Sequence, residues 1–204
     1  MAEIVVGLTG MSGAGKTTAC SEFAANGFEI VNCDLISRQA VTKGSRCLAE
    51  IEKAFGDVIL PNGELDRKKV AGIVFTSDEK REQLNNIIYP YISYIVIDKI
   101  VSWSGKILLD APTLFESGID SLCGCIVSVV CDRQTSLERI MKRDNLTAEQ
   151  AENRLSSQHG IDFYKEKSDY CAENNGTEEQ LREKIRAIIA EIGEKVDNKS
   201  KKAQ

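Results

Sequence analysis

Ile4-Val5-Val6-Gly7-Leu8-Thr9-Gly10-Met11-Ser12-Gly13-Ala14-Gly15-Lys16-Thr17 is the stretch whose reading decides the fold. Its second half fits Gly-x-x-x-x-Gly-Lys-Ser/Thr, and its first half is the short β-rich run that this pattern needs ahead of it. The chemistry behind the spacing is local. Glycines let the backbone curl until successive N–H groups point at phosphate oxygens, and the helix that follows adds its positive N-terminal end. Lys16 is placed to reach β- and γ-phosphates, and the Thr17 hydroxyl to ligate Mg²⁺. The competing reading is a glycine-rich turn with a chance Lys-Thr. The strand before the loop, and Ala19, Phe23 and Ala24 after it, weigh against that. The stretch therefore predicts binding of a nucleoside triphosphate.

Working outward, Thr18 to Asn26 reads as a helix ended by Gly27, and Glu29 to Cys33 as a strand with Asp34 just past its end. Leu35 to Val41 looks helical. Ser45 to Phe55 carries an apolar stripe of Leu48, Ile51, Ala54 and Phe55, closed by Gly56. Pro61-Asn62-Gly63 is a turn, Asp66 caps a helix over Arg67 to Phe75, and Ser77 caps another toward Tyr89. Pro90 is expected to break or kink that helix, with helix resuming from Tyr91 to Trp103. Lys106 to Asp110 and Cys125 to Cys131 are buried strands, Thr135 to Arg143 a helix, and Asp169 to Glu173 a last short strand. Thr147-x-x-Gln150 and Thr177-x-x-Gln180 each read as a capping box opening a helix, and Asp197 to Gln204 as a frayed charged tail.

Strands alternating with helices predict an α/β fold, a five-stranded parallel sheet with helices on both faces. The strand-free residues 45–103 do not belong to that alternation and read as an inserted helical subdomain. The expected organisation is a single domain over residues 1–204. Residues 1–44, 104–133 and 168–196 form its nucleotide-binding core, 134–167 a helical lid, and 197–204 the tail.

Composition narrows the partners. Of 204 residues, 42% are hydrophobic, enough for a packed core, and a net charge of −5 argues against a nucleic-acid partner. The seven cysteines form no Cys-x-x-Cys pair, which favours free thiols in a reducing cytosol over disulfides or structural zinc. His159 is the single histidine, so a Ser-His-Asp hydrolase would have to rely on it alone. No leader precedes the first strand, and no apolar run approaches the roughly 20 residues that span a bilayer. A cytoplasmic location without membrane contact is expected.

Ligands of open α/β sheets gather at the carboxyl ends of the strands, where Asp34 and Asp110 fall. Either alone could be a cap or turn residue; the two together beside a phosphate loop favour a role in phosphoryl transfer. Asp34 is assigned as the base for the attacking hydroxyl and Asp110 to the metal side, with the exchanged roles left open. Arg139, Lys142, Arg143 and Arg154 flank an Asp144-Asn145 turn, and suit a lid that neutralises charge on the transferring group. The alternative is a solvated face with Glu138 and Asp144 as partners.

Several blocks in fixed order then carry a family likeness. They are Gly7-Leu8-Thr9-Gly10, Asp34-Leu35-Ile36-Ser37-Arg38, Leu65-Asp66-Arg67, Leu108 to Glu116, Glu138 to Asp144, Arg154-Leu155-Ser156-Ser157-Gln158, and Asp169-Tyr170 through Asn174-Asn175-Gly176. In this order the chain resembles the dephospho-CoA kinase family over about residues 3–192. The resemblance implies a P-loop kinase fold and transfer of the ATP γ-phosphate to the ribose 3′-hydroxyl of dephospho-CoA, with Mg²⁺. By position it assigns Ser12, Gly13, Ala14, Gly15, Lys16, Thr17 and Thr18 to ATP, and places Asn175 and Gly176 near its adenine. Asp34 would meet the acceptor hydroxyl, and Arg139 and Arg143 would be lid residues acting with Lys16. Thr9, Arg38, Asp110, Pro112, Leu114, Glu116 and the inserted helices would face dephospho-CoA, while Arg67 could instead salt-bridge within its helix.

Three positions depart from the family pattern: Tyr89 where a histidine is common before the proline, Asn32 where an acid is frequent, and Thr113 in place of leucine. Another small-molecule P-loop kinase, such as a nucleoside monophosphate kinase, is the nearest rival, but the size of the insertion suits a long acceptor. A nucleotide-dependent switch is opposed by the lack of Asn-Lys-x-Asp and of Asp-x-x-Gly after the third strand. The expected partners are ATP and dephospho-CoA alone, with no protein partner implied.

Overall fold

The first strand, β1 (Ile4–Gly10), is apolar along its length and buried from Val5 to Gly10, as a strand covered on both faces must be. The computed structural model describes residues 2–202. In it β1 is the middle strand of a five-stranded sheet whose order is β2-β3-β1-β4-β5, with β2 at Glu29–Asn32, β3 at Lys106–Asp110, β4 at Cys125–Val130 and β5 at Tyr170–Glu173. The pairs β1–β3, β1–β4 and β4–β5 are parallel, and Gly7 stands opposite Leu109 on one side and Ile126 on the other. The α/β architecture with a five-stranded sheet is therefore as expected.

Helices follow the strands in chain order: α1 (Lys16–Ala25), α2 (Cys33–Ala40), α3 (Arg46–Phe55), α4 (Arg67–Phe75), α5 (Asp78–Ser102), α6 (Arg133–Asp144), α7 (Ala148–Ser156), α8 (Ile161–Lys167) and α9 (Glu178–Lys202). Their ends are set by local chemistry. At the end of α1, the Gly27 N–H bonds the Ala24 carbonyl and the Phe28 N–H bonds the Phe23 carbonyl. The Phe23 and Phe28 rings meet edge to face at 5.0 Å, the hydrophobic contact that accompanies this type of helix end. Thr147 and Gln150 bond reciprocally, as do Thr177 and Gln180, so both capping boxes form. Asn145 takes the left-handed conformation, φ 52°, that ends α6.

The chain divides into two compact units, residues 1–31 with 103–204, and residues 32–102, so α2 groups with the inserted helices. The first unit is built on Val6, Leu8, Phe23, Val127, Val129, Leu181 and Ile185, which fill the space between the sheet, α1 and α9. The second has its own core of Ala40, Val41, Cys47, Ile51, Val58 and Val70.

Three expectations are corrected. Pro90 does not interrupt its helix: α5 runs unbroken from Asp78 to Ser102. A mid-helix proline forfeits one backbone bond and costs about 3 kcal/mol. Leu84, Ile87 and Ile88 before it and Tyr91 and Ile95 after it pack on the same core, and burying a large aliphatic side chain returns about 1.5–3 kcal/mol. The tail from Asp197 continues α9 as far as Lys202 instead of fraying; Ala203 and Gln204 lie outside the described residues. Helix α2 begins at Cys33 and not at Leu35, because Asn32 ends β2 and accepts the Leu35 N–H at 2.9 Å, so Asp34, just past the strand as expected, lies in the first helical turn. The short helix α8 has no sequence-level counterpart, and its N-cap, Gly160, offers no side chain.

Candidate active site

The phosphate loop leaves β1 through Gly10, where a Cβ would drive into the carbonyl of Val129, and enters α1 through Gly15 at φ 105°. A side chain at either position is excluded, at the first by close approach to β4 and at the second by the backbone itself. The beginning of α1, like that of α8, has glycine as its N-cap, and at α1 that glycine closes the phosphate loop. The starts of α2, α3, α4, α6 and α7 are each capped by a side-chain oxygen, whereas Gly15 gives α1 none. The first N–H groups of α1 therefore lack a side-chain acceptor, the condition under which a helix end takes an anion.

Residues distant in sequence hold the loop in shape. Gln158 binds Ser12 twice, accepting its N–H at 3.0 Å and donating Nε2 to its Oγ at 2.9 Å. The buried Ser136 hydroxyl donates to the Ser12 carbonyl at 2.9 Å. Asn174, also buried, donates Nδ2 to the Ala14 carbonyl at 2.7 Å. Arg139 spans three carbonyls, Gly13 at 3.4 Å, Asn174 at 3.0 Å and Gly176 at 3.1 Å. Gln158 and Asn174 belong to blocks already singled out, but a supporting role was not assigned to them. Ser136 carries no sequence signal beyond its place in the first turn of α6.

At the carboxyl ends of the strands, Lys16 Nζ is ion-paired with Asp110, both side chains largely buried. Beside them Cys20 is pushed up in pKa, mainly by burial and secondarily by Asp110, while Lys16 pulls it down; it stays a neutral thiol. Thr9 donates to the Pro112 carbonyl at 3.3 Å, tying β1 to the loop after β3. In that loop Leu114 is fully buried, so it supports the loop from beneath, whereas Glu116 is exposed and lies 3.4 Å from His159. His159 stacks on Phe163, ring centroids 3.7 Å apart.

Thr17 is exposed; Ser12 and Thr18 are half-buried. Asn175 and Gly176 are exposed, and the Asn175 side chain accepts the Asp132 N–H at 2.8 Å. Arg143 donates twice to Asp144, at 2.8 and 2.7 Å, and Arg154 once at 2.7 Å. The Arg143 hydrogen bond holds the Asp144 carboxyl below its ordinary range. Arg143 thus takes the solvated, ion-paired arrangement named as its alternative. Asp34 and Arg38 lie in the second unit, both exposed and one turn apart on α2. The departure at Asn32 leaves the cap of α2 intact, since Asn and Asp cap equally well.

A parallel sheet, a glycine-bounded loop at its carboxyl edge, an uncapped helix end and a paired Lys–Asp define a P-loop kinase. The fold is shared with the crystal structure of TT1252 from Thermus thermophilus (TM-score 0.78, 24% identity, covering 92% of this chain and 97% of that one). It is shared more distantly with shikimate kinase from Acinetobacter baumannii (TM-score 0.53, 20% identity, 94% of each chain). Within that class the chain belongs to the dephospho-CoA kinase family, whose profile matches residues 4–180. The dephospho-CoA kinase of Arabidopsis thaliana is 37% identical over 193 residues, 92% of this chain and 83% of that protein. The chain is accordingly an ATP-dependent kinase of coenzyme A biosynthesis acting on a small molecule. Among the described residues no helix is long and apolar enough to cross a membrane.

Proposed function

We propose that this enzyme transfers the ATP γ-phosphate to the ribose 3′-hydroxyl of dephospho-CoA, giving CoA and ADP. The observation that carries the reading is the uncapped start of α1 with Lys16 poised at Asp110, in a chain of the dephospho-CoA kinase family. Loop N–H groups and Lys16 hold the β- and γ-phosphates, and Asp34 accepts the proton of the attacking hydroxyl. Arg139 stands at the loop through its Gly13 contact, and Arg143 supplies charge to the transferring group by leaving Asp144. Asn175 and Gly176 lie at the base end of the nucleotide, and Arg38 and Glu116 on the acceptor side.

Mg²⁺ fits the residues present. Thr17 offers an exposed hydroxyl and Asp110 a carboxylate, the oxygen donors this ion prefers. Among the described residues no group of three acidic, histidine or cysteine side chains could hold a metal by itself, in keeping with an ion bound largely through phosphates and water. When bound, it neutralises charge on the phosphates. A cytoplasmic site of action accords with seven cysteines that form no disulfide.

The test is ADP release by the purified protein with ATP, Mg²⁺ and a panel of acceptors, with the product identified by mass. Dephospho-CoA should be turned over fastest, and chelation of Mg²⁺ should abolish turnover. Faster turnover of a nucleoside monophosphate would replace this reading by that of its nearest rival.

A further inference from the structure

We infer that Gln158 is a positioning residue for phosphoryl transfer: it turns the Ser12 hydroxyl so that its proton donates to the γ-phosphate of ATP. The inference rests on the function proposed above and adds to it a donor other than the backbone N–H groups and Lys16.

The direction of each bond at Ser12 follows from what its partners can do. A backbone N–H only donates, so the Gln158 atom 3.0 Å from Ser12 N is the acceptor Oε1. The other end of the same amide is thereby fixed as Nε2, which only donates, and it faces Ser12 Oγ at 2.9 Å. Oγ is the acceptor in this contact, and its own proton points elsewhere. The Ser12 carbonyl is taken as well, by the buried Ser136 hydroxyl at 2.9 Å. Of the hydrogen-bonding functions of Ser12, only Oγ–H is left without a protein partner among the described residues. Because Gln158 engages its N–H, Ser12 offers a phosphate its hydroxyl and not its backbone.

The clamp on Ser12 is anchored in packed structure. Gln158 follows the last turn of α7, where its N–H bonds the Leu155 carbonyl at 3.1 Å. Leu155 packs with Ile140 and Ala151 in a small core that joins α7 to α6. Ser136, on α6, is fully buried, and its Oγ lies 3.1 Å from Cys131 Sγ. The loop rests against the same helix, since a Cβ on Gly13 would stand 2.9 Å from the Ser136 carbonyl oxygen. Ser12 itself is only half-buried, so its hydroxyl stays open to a ligand. Phosphoryl transfer shifts charge among the oxygens around the γ-phosphorus, and a donor already turned toward them costs no reorganisation at the moment of reaction.

The experiment combines titration calorimetry of ADP and of the β,γ-imido analogue of ATP with steady-state kinetics. The variants are Ser12→Ala, Ser12→Thr, Gln158→Glu and the double variant of Ser12→Ala with Gln158→Glu. Glutamate has the shape of glutamine and still accepts the Ser12 N–H. Its second oxygen accepts where Nε2 donated, so the hydroxyl proton turns to it and away from the nucleotide. Ser12→Ala should lower kcat about 10- to 100-fold and raise the Kd of the imido analogue about 3- to 10-fold, with the Kd of ADP within about 2-fold of wild type. Ser12→Thr, which keeps the hydroxyl, should hold kcat within about 5-fold of wild type. Gln158→Glu should lower kcat at least about 10-fold with Tm within about 2 °C of the parent, and should cost less than about 3-fold in the Ser12→Ala background. An equal effect of Gln158→Glu with and without the Ser12 hydroxyl is one of charge or loop shape, and overturns the inference. Equal weakening of ADP and the imido analogue by Ser12→Ala, or a kcat of that variant within about 2-fold of wild type, overturns it too. If the calorimetric difference between the nucleotides holds while the wild-type protein leaves dephospho-CoA unphosphorylated, the proposed acceptor is refuted and the inference stands.

Discussion

Replacing Asn174 tests whether the loop is held from beneath. Asn174 is 6% exposed, and the Ala14 carbonyl that its amide reaches belongs to a residue with no exposure at all. Asn174→Ala removes the 2.7 Å bond and leaves that carbonyl without its side-chain partner, a loss of about 1–3 kcal/mol. The substitution also deletes Asn174 Oδ1, a buried oxygen without a protein partner, which returns part of the loss. A net destabilisation of about 1–2 kcal/mol in a chain of this length lowers Tm by about 2–8 °C. Asn174→Asp should do worse, because an acceptor replaces the donor facing Ala14 and a negative charge is placed beneath the phosphate site. The assay is thermal denaturation followed by circular dichroism, with and without saturating ATP, beside the ATP KM. The alanine variant should lose stability with its ATP KM raised a few fold; the aspartate variant should also raise the ATP KM about 10-fold or more. A Tm within about 1 °C of the parent for both variants, with unchanged ATP KM, would refute the reasoning.

Lys16→Ala should cut kcat by at least about 100-fold through loss of charge at the β- and γ-phosphates; near-normal turnover would contradict the loop assignment. Asp34→Asn should lower kcat far more than it weakens ATP binding. Collapse of ATP affinity with kcat preserved would instead put Asp34 on the metal side and Asp110 at the hydroxyl. Acid should loosen the start of α6. The Thr135 N–H holds the Asp132 carboxyl below its ordinary value of 3.8, so the stabilisation is present above the unfolded pKa and lost as pH falls through the folded one. Melting curves between about pH 5 and pH 2 should therefore show a smaller acid-induced fall in Tm for Asp132→Asn than for the parent, and equal falls would reject the link.

What the sequence made legible is what short-range chemistry decides. The phosphate loop, the capping boxes at Thr147 and Thr177 and the end of α1 at Gly27 each involve residues a few positions apart, so pattern alone specifies them. The break allowed for at Pro90 does not occur because its helix survives on packing with residues as far away as Cys47 and Val58, which no local propensity registers. Helix α8 escaped because seven residues after an uncapped glycine, with Ile161, Phe163 and Tyr164 unevenly spaced, show no helical period. The supports of the loop were invisible for a related reason. Ser12 meets Gln158 and Ser136 across more than a hundred residues, and a lone serine or glutamine says nothing of such a meeting. Lys16 and Asp110 were both singled out as functional, but their pairing depends on the β1–β3 register, which a single sequence does not state.

One contact sets a limit on how far the chain can be shortened. Glu22, a largely buried acid on the helix that opens with the phosphate loop, receives Arg182 at 2.6 Å and Arg186 at 3.5 Å, both from α9. The family profile ends at residue 180, short of both arginines, although relatives align over 92% of the chain and so past them. A version of the enzyme trimmed to the end of that profile would keep every residue of the loop and still lose the counter-charges of a buried carboxylate on its supporting helix. A shortened enzyme is therefore expected to need α9 through Arg186 for the electrostatics of Glu22, beyond the end of the family profile.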